Sequence, residues 1–188
     1  MADNVTLPGT GEIVAADDVG SAKYQRVKLT AGIEGIAADS GSYTVSSNFN
    51  RPANTTAYSA DDNVSNNTTA GSVTPLSFAL SGSAGIIRRV RVRKSDQTVA
   101  TPTIRVWFFE SSPTVGSGDN AAFAQPLAAS VGYVDVAVTS AGSDDAVGWT
   151  NCDIPVVAAT CYALLQTTSA FTPANAETFT ITIWYLNG

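Results

Sequence analysis

The basic residues of the chain are concentrated in one short segment, and this is the clearest feature that could recognise a partner. Five of the ten lysine and arginine residues fall within seven positions, at Arg88, Arg89, Arg91, Arg93 and Lys94. In a β-strand, alternate residues point to opposite faces. We therefore predict a strand that presents on one face Arg89, Arg91 and Arg93. The intervening residues Val90 and Val92 are expected in the core.

Two interpretations of these arginines remain open. Three guanidinium groups in a row repel one another unless they meet carboxylates, phosphates or another protein. They could form a solvated outer face with acidic strands of the same domain as neighbours, or they could contact an acidic partner surface. Nucleic acid is an unlikely partner, because the net charge is −6 and the pI is about 4.4.

The residue types needed for catalysis are largely missing. The chain has no histidine, which removes the commonest general base, the Ser-His-Asp triad and histidine metal sites. Glu110 and Asp119 could be imagined as a carboxylate pair, but their spacing does not place them across a substrate. We therefore expect no enzyme, no cofactor and no metal.

The other acidic residues and the two cysteines have simpler interpretations. The pairs at 17–18, 61–62 and 144–145, together with Asp119, form no calcium loop, so we interpret them as solubilising loop residues. Cys152 and Cys161 match no zinc spacing. We expect two small buried thiols, with a disulfide across a hairpin as the alternative.

The elements that must position these residues are strands. Valine outnumbers leucine 19 to 8, and β-branched side chains favour pleated sheets. Period-2 alternation, separated by Gly, Ser and Asp turns, predicts strands at 73–80, 86–94, 103–109, 133–139, 162–168 and 177–186. This pattern indicates an all-β fold, either an antiparallel sandwich or a barrel.

The chain divides into an N-terminal arm and linker, 1–56, and a β-domain, 57–188. The arm contains one alternating run at 24–29, which a single strand cannot stabilise alone. We expect this run to pair elsewhere, and its candidate contact residues are Tyr24, Arg26, Val27 and Leu29. Residues 40–57 are rich in Ser, Asn and Thr and are predicted to be a linker or loose loop.

Two tryptophans lie in predicted strands. Trp107 and Trp184 are expected to anchor the inner face of a sandwich. A carbohydrate platform that uses them together with Tyr185 is the alternative. The chain has no apolar run of the roughly 20 residues that span a bilayer, and Met1 to Asn4 lack the features of a secretory signal. We therefore expect a soluble protein that is made in the cytoplasm and does not associate with a membrane.

Several segments resemble virion structural proteins of tailed bacteriophages. They are MADNVTLPGTGEIVAADDVGSAKYQRVKLTAG at 1–32, AYSADDNVSN at 57–66, RVWFFESSPT at 105–114 and DNAAF at 119–123. In that group Ala-Tyr precedes the first strand, and a Phe-Phe strand leads through a Ser/Pro loop into Asp-Asn-Ala-Ala. The basic strand 88–94 departs from the group pattern.

This resemblance implies a non-enzymatic head decoration (cement) protein with a jelly-roll sandwich and an extended N-terminal arm. Its partner would be the major capsid protein or another virion protein, and it would lie on the capsid surface. The oligomeric state that the resemblance favours is a homotrimer. The arm could add a strand to a neighbouring subunit. A tail, neck or fibre-base protein and a carbohydrate-binding adhesin remain the alternatives.

Overall fold

The computed structural model describes residues 3–6, 13–19, 22–25, 41–96, 101–141 and 145–188. The chain divides into two compact units, Met1–Asp39 and Ser40–Gly188. The first unit contains a three-stranded antiparallel sheet of β1 (Asp3–Thr6), β2 (Ile13–Val19) and β3 (Ala22–Gln25), in that order.

The strand predicted at 24–29 has a different environment from the one expected. Tyr24 and Gln25 lie in β3 and pair with Asp17 and Ala16 of β2, so the expectation that this run pairs elsewhere is wrong for its first two residues. Three of the candidate contact residues, Arg26, Val27 and Leu29, lie outside the described residues.

The second unit is all-β and consists of two antiparallel sheets packed face to face. Its strands are β4 (Ser42–Asn50), β5 (Asn63–Val64), β6 (Leu76–Ala79), β7 (Gly85–Lys94), β8 (Thr103–Phe109), β9 (Ser130–Ala137), β10 (Thr139–Ser140), β11 (Ala146–Val156), β12 (Thr160–Thr167) and β13 (Thr178–Asn187). Sheet I has the order β10-β11-β7-β13-β4. Sheet II has the order β5-β12-β8-β9, and β6 also pairs with β12.

The residues on the inner faces of the predicted strands form the core. Each of the six predicted strands coincides with all or part of a strand in the structure, and one face of each is buried. Among the buried side chains of sheet I are Val90, Val92, Phe179, Ile181 and Ile183, and among those of sheet II are Phe78, Ile104, Val106, Phe108 and Val136. The all-β prediction and the core positions of Val90 and Val92 are therefore confirmed.

The predicted linker at 40–57 is wrong over half of its length, the nine residues of β4. Strand β4 pairs with β13 along nine consecutive residues, from Ser42 opposite Leu186 to Asn50 opposite Thr178. Its exposed positions carry Ser, Thr and Asn, and these hide the period-2 signal of the half-buried Tyr43, Val45 and Phe49. The boundary between the two units therefore falls at 39–40, and not at 56–57.

Strand β11 was not predicted, although it is the longest of the sandwich. Its sequence contains Gly148 and Pro155, which are depleted in strands, and the register shifts between Asn151 and Ile154. A Cβ atom at Gly148 would lie 2.0 Å from the carbonyl oxygen of Ala137. The glycine is therefore required by a close backbone approach. No helix in the described part of the chain is long and apolar enough to cross a membrane.

A pair of truncations tests the corrected boundary. Removal of residues 1–39 should leave a cooperative thermal unfolding transition, because Ser40–Gly188 is a compact unit. Removal of residues 1–56 should abolish that transition, because it deletes β4 and uncovers the β13 side of the core. Circular dichroism at increasing temperature measures both, and equal midpoints for the two truncations would contradict the placement of β4.

Candidate functional site

The basic strand β7 lies near the centre of sheet I and turns its arginines outward. Val90 and Val92 are fully buried, whereas Arg89 and Arg93 are exposed and Arg91 is half-buried. The pairing with β13 shifts from Arg89 opposite Trp184 to Ile87 opposite Tyr185. Arg88 is thus the extra residue of a β-bulge, which lets it share the outer surface with its neighbour Arg89.

The arginines form a column between two columns of uncharged side chains. On the β11 side the partners of Arg89 and Arg91 are Asn151 and Trp149. On the β13 side their partners are Trp184 and Thr182. We call these six residues the arginine face. Trp149 is 60% exposed, so the face combines cationic, aromatic and hydrogen-bonding groups.

Two of the four arginines of the basic cluster are neutralised within the domain. Arg93 Nη2 lies 2.6 Å from Asp145 Oδ2, and Arg88 forms an ion pair with Asp153. These contacts match the first interpretation of the cluster, an outer face with acidic neighbours. They also show that Asp145 is a pairing residue and not only a solubilising one.

Arg89 and Arg91 have no carboxylate partner among the residues that the structure describes. Arg89 Nε donates to Asn151 Oδ1 at 3.0 Å, and Arg91 Nη2 donates to Thr182 Oγ1 at 3.1 Å. Both guanidinium groups lie near the ring of Trp184, at 5.9 and 5.5 Å from its centroid. The Nε of Arg91 is buried and has no hydrogen-bond partner. The second interpretation, an acidic partner, is therefore compatible with these two arginines.

A cleft of about 500 Å³ opens at one end of the arginine face. It has the volume typical of a small-ligand site. The side chains and backbone around it belong to Ser42, Arg88, Arg89, Asn151, Cys152, Asp153 and Trp184. The cleft thus offers a cation, an aromatic ring and an amide to one small anionic or polar group.

A second polar cluster lies inside the sandwich and joins two of the sequence motifs. Arg51 Nη2 lies 2.9 Å from Asp119 Oδ2, and both side chains are fully buried. The hydroxyl of Tyr58 donates to Asp119 Oδ1 at 2.5 Å and accepts a bond from Arg51 Nε. The backbone N–H of Ser65 also donates to Asp119 Oδ1, at 2.9 Å. Burial and the neighbouring carboxylate raise the pKa of Tyr58 well above its usual range, so its hydroxyl stays protonated.

The interpretation of Asp119 as a solubilising loop residue is wrong. Its carboxylate receives three hydrogen bonds or ion-pair contacts in the interior, as a buried charge requires. The segments 57–66 and 119–123 also pair through their backbones. The Asn63 N–H donates to the Ala121 carbonyl at 2.8 Å, and the Phe123 N–H donates to the Asp61 carbonyl at 2.9 Å. These two motifs therefore hold each other in place within the fold.

Lys94 and Glu177 form a third polar cluster that sequence reasoning missed. Both side chains are fully buried, and Lys94 Nζ forms an ion pair with Glu177 Oε1 and a hydrogen bond with the Asp96 carbonyl. Burial raises the pKa of Glu177, and the ammonium group of Lys94 opposes that shift. The alternation of residues along β7 could have indicated that Lys94 is buried, because Lys94 lies on the same inner face as Val90 and Val92.

The tryptophans do not lie where the sequence suggested. Trp184 is on the outer face of sheet I. Trp107 is on the outer face of sheet II, where it packs against Tyr133 and Phe123 with centroid separations of 4.6 and 6.2 Å. The expectation of inner-face anchors is wrong, because in each strand the neighbouring residues fill the core. Tyr185 is buried and its hydroxyl accepts a bond from the Ser81 N–H, so it cannot share a glycan platform with the tryptophans.

The cysteines are both free, so the disulfide alternative is wrong. Cys161 is buried, as expected, whereas Cys152 is half-buried. Burial raises the pKa of Cys161 to about 12 and that of Cys152 to about 11, which leaves both thiols protonated near neutral pH. No group of three metal-ligating side chains occurs in the described parts of the chain.

Comparisons with known proteins do not assign the chain to a family. The sequence matches no protein-family model, and the search of curated proteins found no match.

The buried ion pair between Arg51 and Asp119 should dominate the response to single substitutions. Asp119→Ala leaves a buried guanidinium without its counter-charge, and we expect it to lower the free energy of unfolding by about 3–5 kcal/mol. Asp145→Ala breaks the exposed pair with Arg93 and should cost less than about 1 kcal/mol. Urea unfolding of both variants measures the difference. Similar losses for the two would contradict a structural role for Asp119.

The pair between Lys94 and Glu177 should make one substitution depend on pH. In Lys94→Met the buried carboxyl of Glu177 loses its ion-pair partner, so its folded-state pKa rises further above the unfolded value of about 4.3. A raised carboxyl pKa gives stability that is present below the unfolded value and lost as pH rises through the folded value. Lys94→Met should therefore be less destabilised relative to wild type at about pH 4 than at about pH 7. Urea unfolding at both values tests this, and a loss independent of pH would contradict it.

Proposed function

We propose that the protein is a non-enzymatic virion structural protein of a tailed bacteriophage, a head decoration protein of jelly-roll type that binds the capsid shell. The observation that carries this proposal is the outward-facing pair Arg89 and Arg91, which no described carboxylate neutralises. Unpaired arginines on the central strand of a rigid sheet are suited to an acidic protein surface. The chain as a whole carries a net charge of −6, so these two arginines form a positively charged patch on an acidic protein.

Electrostatic reasoning gives these arginines a defined role in assembly. Exposed charge pairs contribute only about 0.2–1 kcal/mol each, so they do not by themselves hold a protein on a particle. They mainly raise the rate of association and select the orientation of docking. The aromatic rings of Trp149 and Trp184 beside them supply apolar area, and buried aromatic and arginine residues dominate the affinity of protein interfaces.

The resemblance to phage virion proteins supports the same proposal from different residues. Its motifs at 57–66 and 119–123 meet around Asp119, so they specify a fold rather than a catalytic site. On this proposal the N-terminal unit, with Tyr24, Arg26, Val27 and Leu29, contacts the particle or a neighbouring subunit. The protein then acts as a homo-oligomer, and three copies is the number that the resemblance implies.

The decisive experiment is the location of the protein in the assembled particle. Mass spectrometry of purified virions should detect the chain, and a density map should place its copies on the head. Copies on the tail, neck or fibre base would replace the decoration role with one of those positions. Absence from purified virions would overturn the proposal together with those alternatives.

Substitution of the two unpaired arginines should slow attachment to capsid shells. Arg89→Ser with Arg91→Ser should reduce the association rate most strongly at low salt, because the Debye length shortens to about 8 Å at physiological ionic strength. Arg93→Ser is the matched control, since Asp145 already neutralises that side chain. It should change the rate less. Surface-immobilised shells and purified variants measure both rates, and equal effects, or none at low salt, would contradict the proposed contact.

An acidic saccharide is a second candidate ligand, and the cleft beside Trp184 is the observation that favours it. An indole ring can stack on a sugar face, while Arg89 and Asn151 can bind a carboxylate and hydroxyl groups. Glycan-array binding by the isolated protein that is lost in Trp184→Ala would favour an adhesin. Binding that is retained in this variant would exclude the cleft.

A further inference from the structure

The outermost strand of sheet I is an unusually accessible edge. Among the described residues, β4 pairs on one side only, with β13. Its nine residues, SYTVSSNFN, contain no charge and no proline, and its pairing with β13 runs without a register shift. Natural sheets protect such edges with charges, prolines, bulges or very short strands, because an open edge binds another strand.

The other sheet edges carry the protection that β4 lacks. The opposite edge of sheet I, β10, is only two residues long. In sheet II the edge strand β9 contains Asp135 and a register shift opposite Phe108 and Phe109. The remaining edge is formed by β5 and β6, which are only two and four residues long. The contrast within one domain indicates that the edge of β4 is kept open for a partner.

We propose that β4 pairs antiparallel with β4 of a second copy of this chain, across a two-fold axis at Ser46. That register uses all nine residues of both strands. On the outer face it sets Thr44 of one copy opposite Asn48 of the other, and on the inner face it sets Tyr43 opposite Phe49. Every cross-strand pair is uncharged, so no repulsion opposes the contact.

The aromatic residues give this register its specificity. Within one chain Tyr43 stacks on Tyr185 with a centroid distance of 5.5 Å, and Phe49 stacks on Phe179 at 5.8 Å. Pairing Tyr43 with Phe49 of the second copy joins these pairs into a row of four rings, and the two-fold axis creates the row twice. Aromatic pairs directly opposite each other on neighbouring strands stabilise the pairing and so favour this register.

The surroundings of the edge also suit a second copy. Tyr43, Val45 and Phe49 are only partly buried although they pack against the core. A groove of about 480 Å³ runs beside the second half of β4, lined by residues 47–50, Asn66 and 74–77. A strand added at the edge covers these side chains, and the joined sheets I become one sheet of ten strands. This inference concerns a two-fold contact, which is distinct from the three-copy assembly that the resemblance implies and does not depend on the capsid role.

Charge substitutions at facing positions test the proposed register in the full-length protein. Thr44→Lys with Asn48→Lys places like charges opposite each other in both outer rows. Thr44→Lys with Asn48→Glu places opposite charges in the same rows. Both positions are exposed, so folding should be kept, and circular dichroism verifies it. Analytical ultracentrifugation at micromolar concentration measures the assembled mass.

We expect the wild type and the Lys/Glu variant to have twice the mass of the Lys/Lys variant, whose association constant should fall at least about tenfold. A mixture of the Lys/Lys variant with Thr44→Glu, Asn48→Glu should recover the doubled mass. Equal masses for all variants would overturn the proposal. Equal masses are also the result expected if residues of the same chain cover the edge of β4. Loss of the doubled mass in the Lys/Glu variant as well would overturn the register.

Discussion

The buried ion pair between Arg51 and Asp119 is the contact on which the sandwich depends. A charge removed from water is tolerated only where a counter-charge and hydrogen bonds replace its solvent. Arg51 follows directly after β4, and Asp119 lies in the long loop between β8 and β9, so their contact ties the edge of sheet I to the loops of sheet II. The backbone N–H of Arg51 also donates to the Glu177 carbonyl at 2.9 Å, next to the second buried pair. Two internal ion pairs thus fix the end of the sandwich where β7 ends and β13 begins.

The sequence predicted the parts of the fold that depend on alternation. In β8 and β13, and in β7 beyond its bulge at Arg88, apolar residues alternate with outward-facing ones, and this period of two fixes which side chains are buried. Strand β4 was missed because its inner residues alternate with Ser, Thr and Asn, a composition that also describes loops. The burial of Arg51 and Asp119 could not be predicted, and alternation indicated the inner face for Lys94 but not its partner Glu177, because the partner of each buried charge is distant in sequence. Such contacts exist only once the sheets have packed.

The sequence predicted which arginines share the outer face of β7, but it did not predict which of their charges are neutralised by carboxylates. Alternation placed Arg89, Arg91 and Arg93 together, and the structure confirms the shared surface. It also distinguishes them, because Arg93 meets Asp145 whereas Arg91 meets Thr182. That difference depends on the register of β11 and β13 against β7. A shift of two residues would leave every arginine on the same face but change which one is neutralised.

Charge pairing within the sandwich explains why the available cations are few and adjacent. Between residues 41 and 188 the described part of the chain holds seven lysine and arginine side chains, and five of them form ion pairs with described carboxylates, namely Arg51, Arg88, Arg93, Lys94 and Arg105. The two that remain, Arg89 and Arg91, are neighbours on one strand and share the ring of Trp184. The described part of the sandwich thus neutralises its other cations internally and leaves two guanidinium groups without a carboxylate side by side. Because Arg89 and Arg91 occupy adjacent outward positions of the central strand, an anionic group that meets one of them also lies near the other.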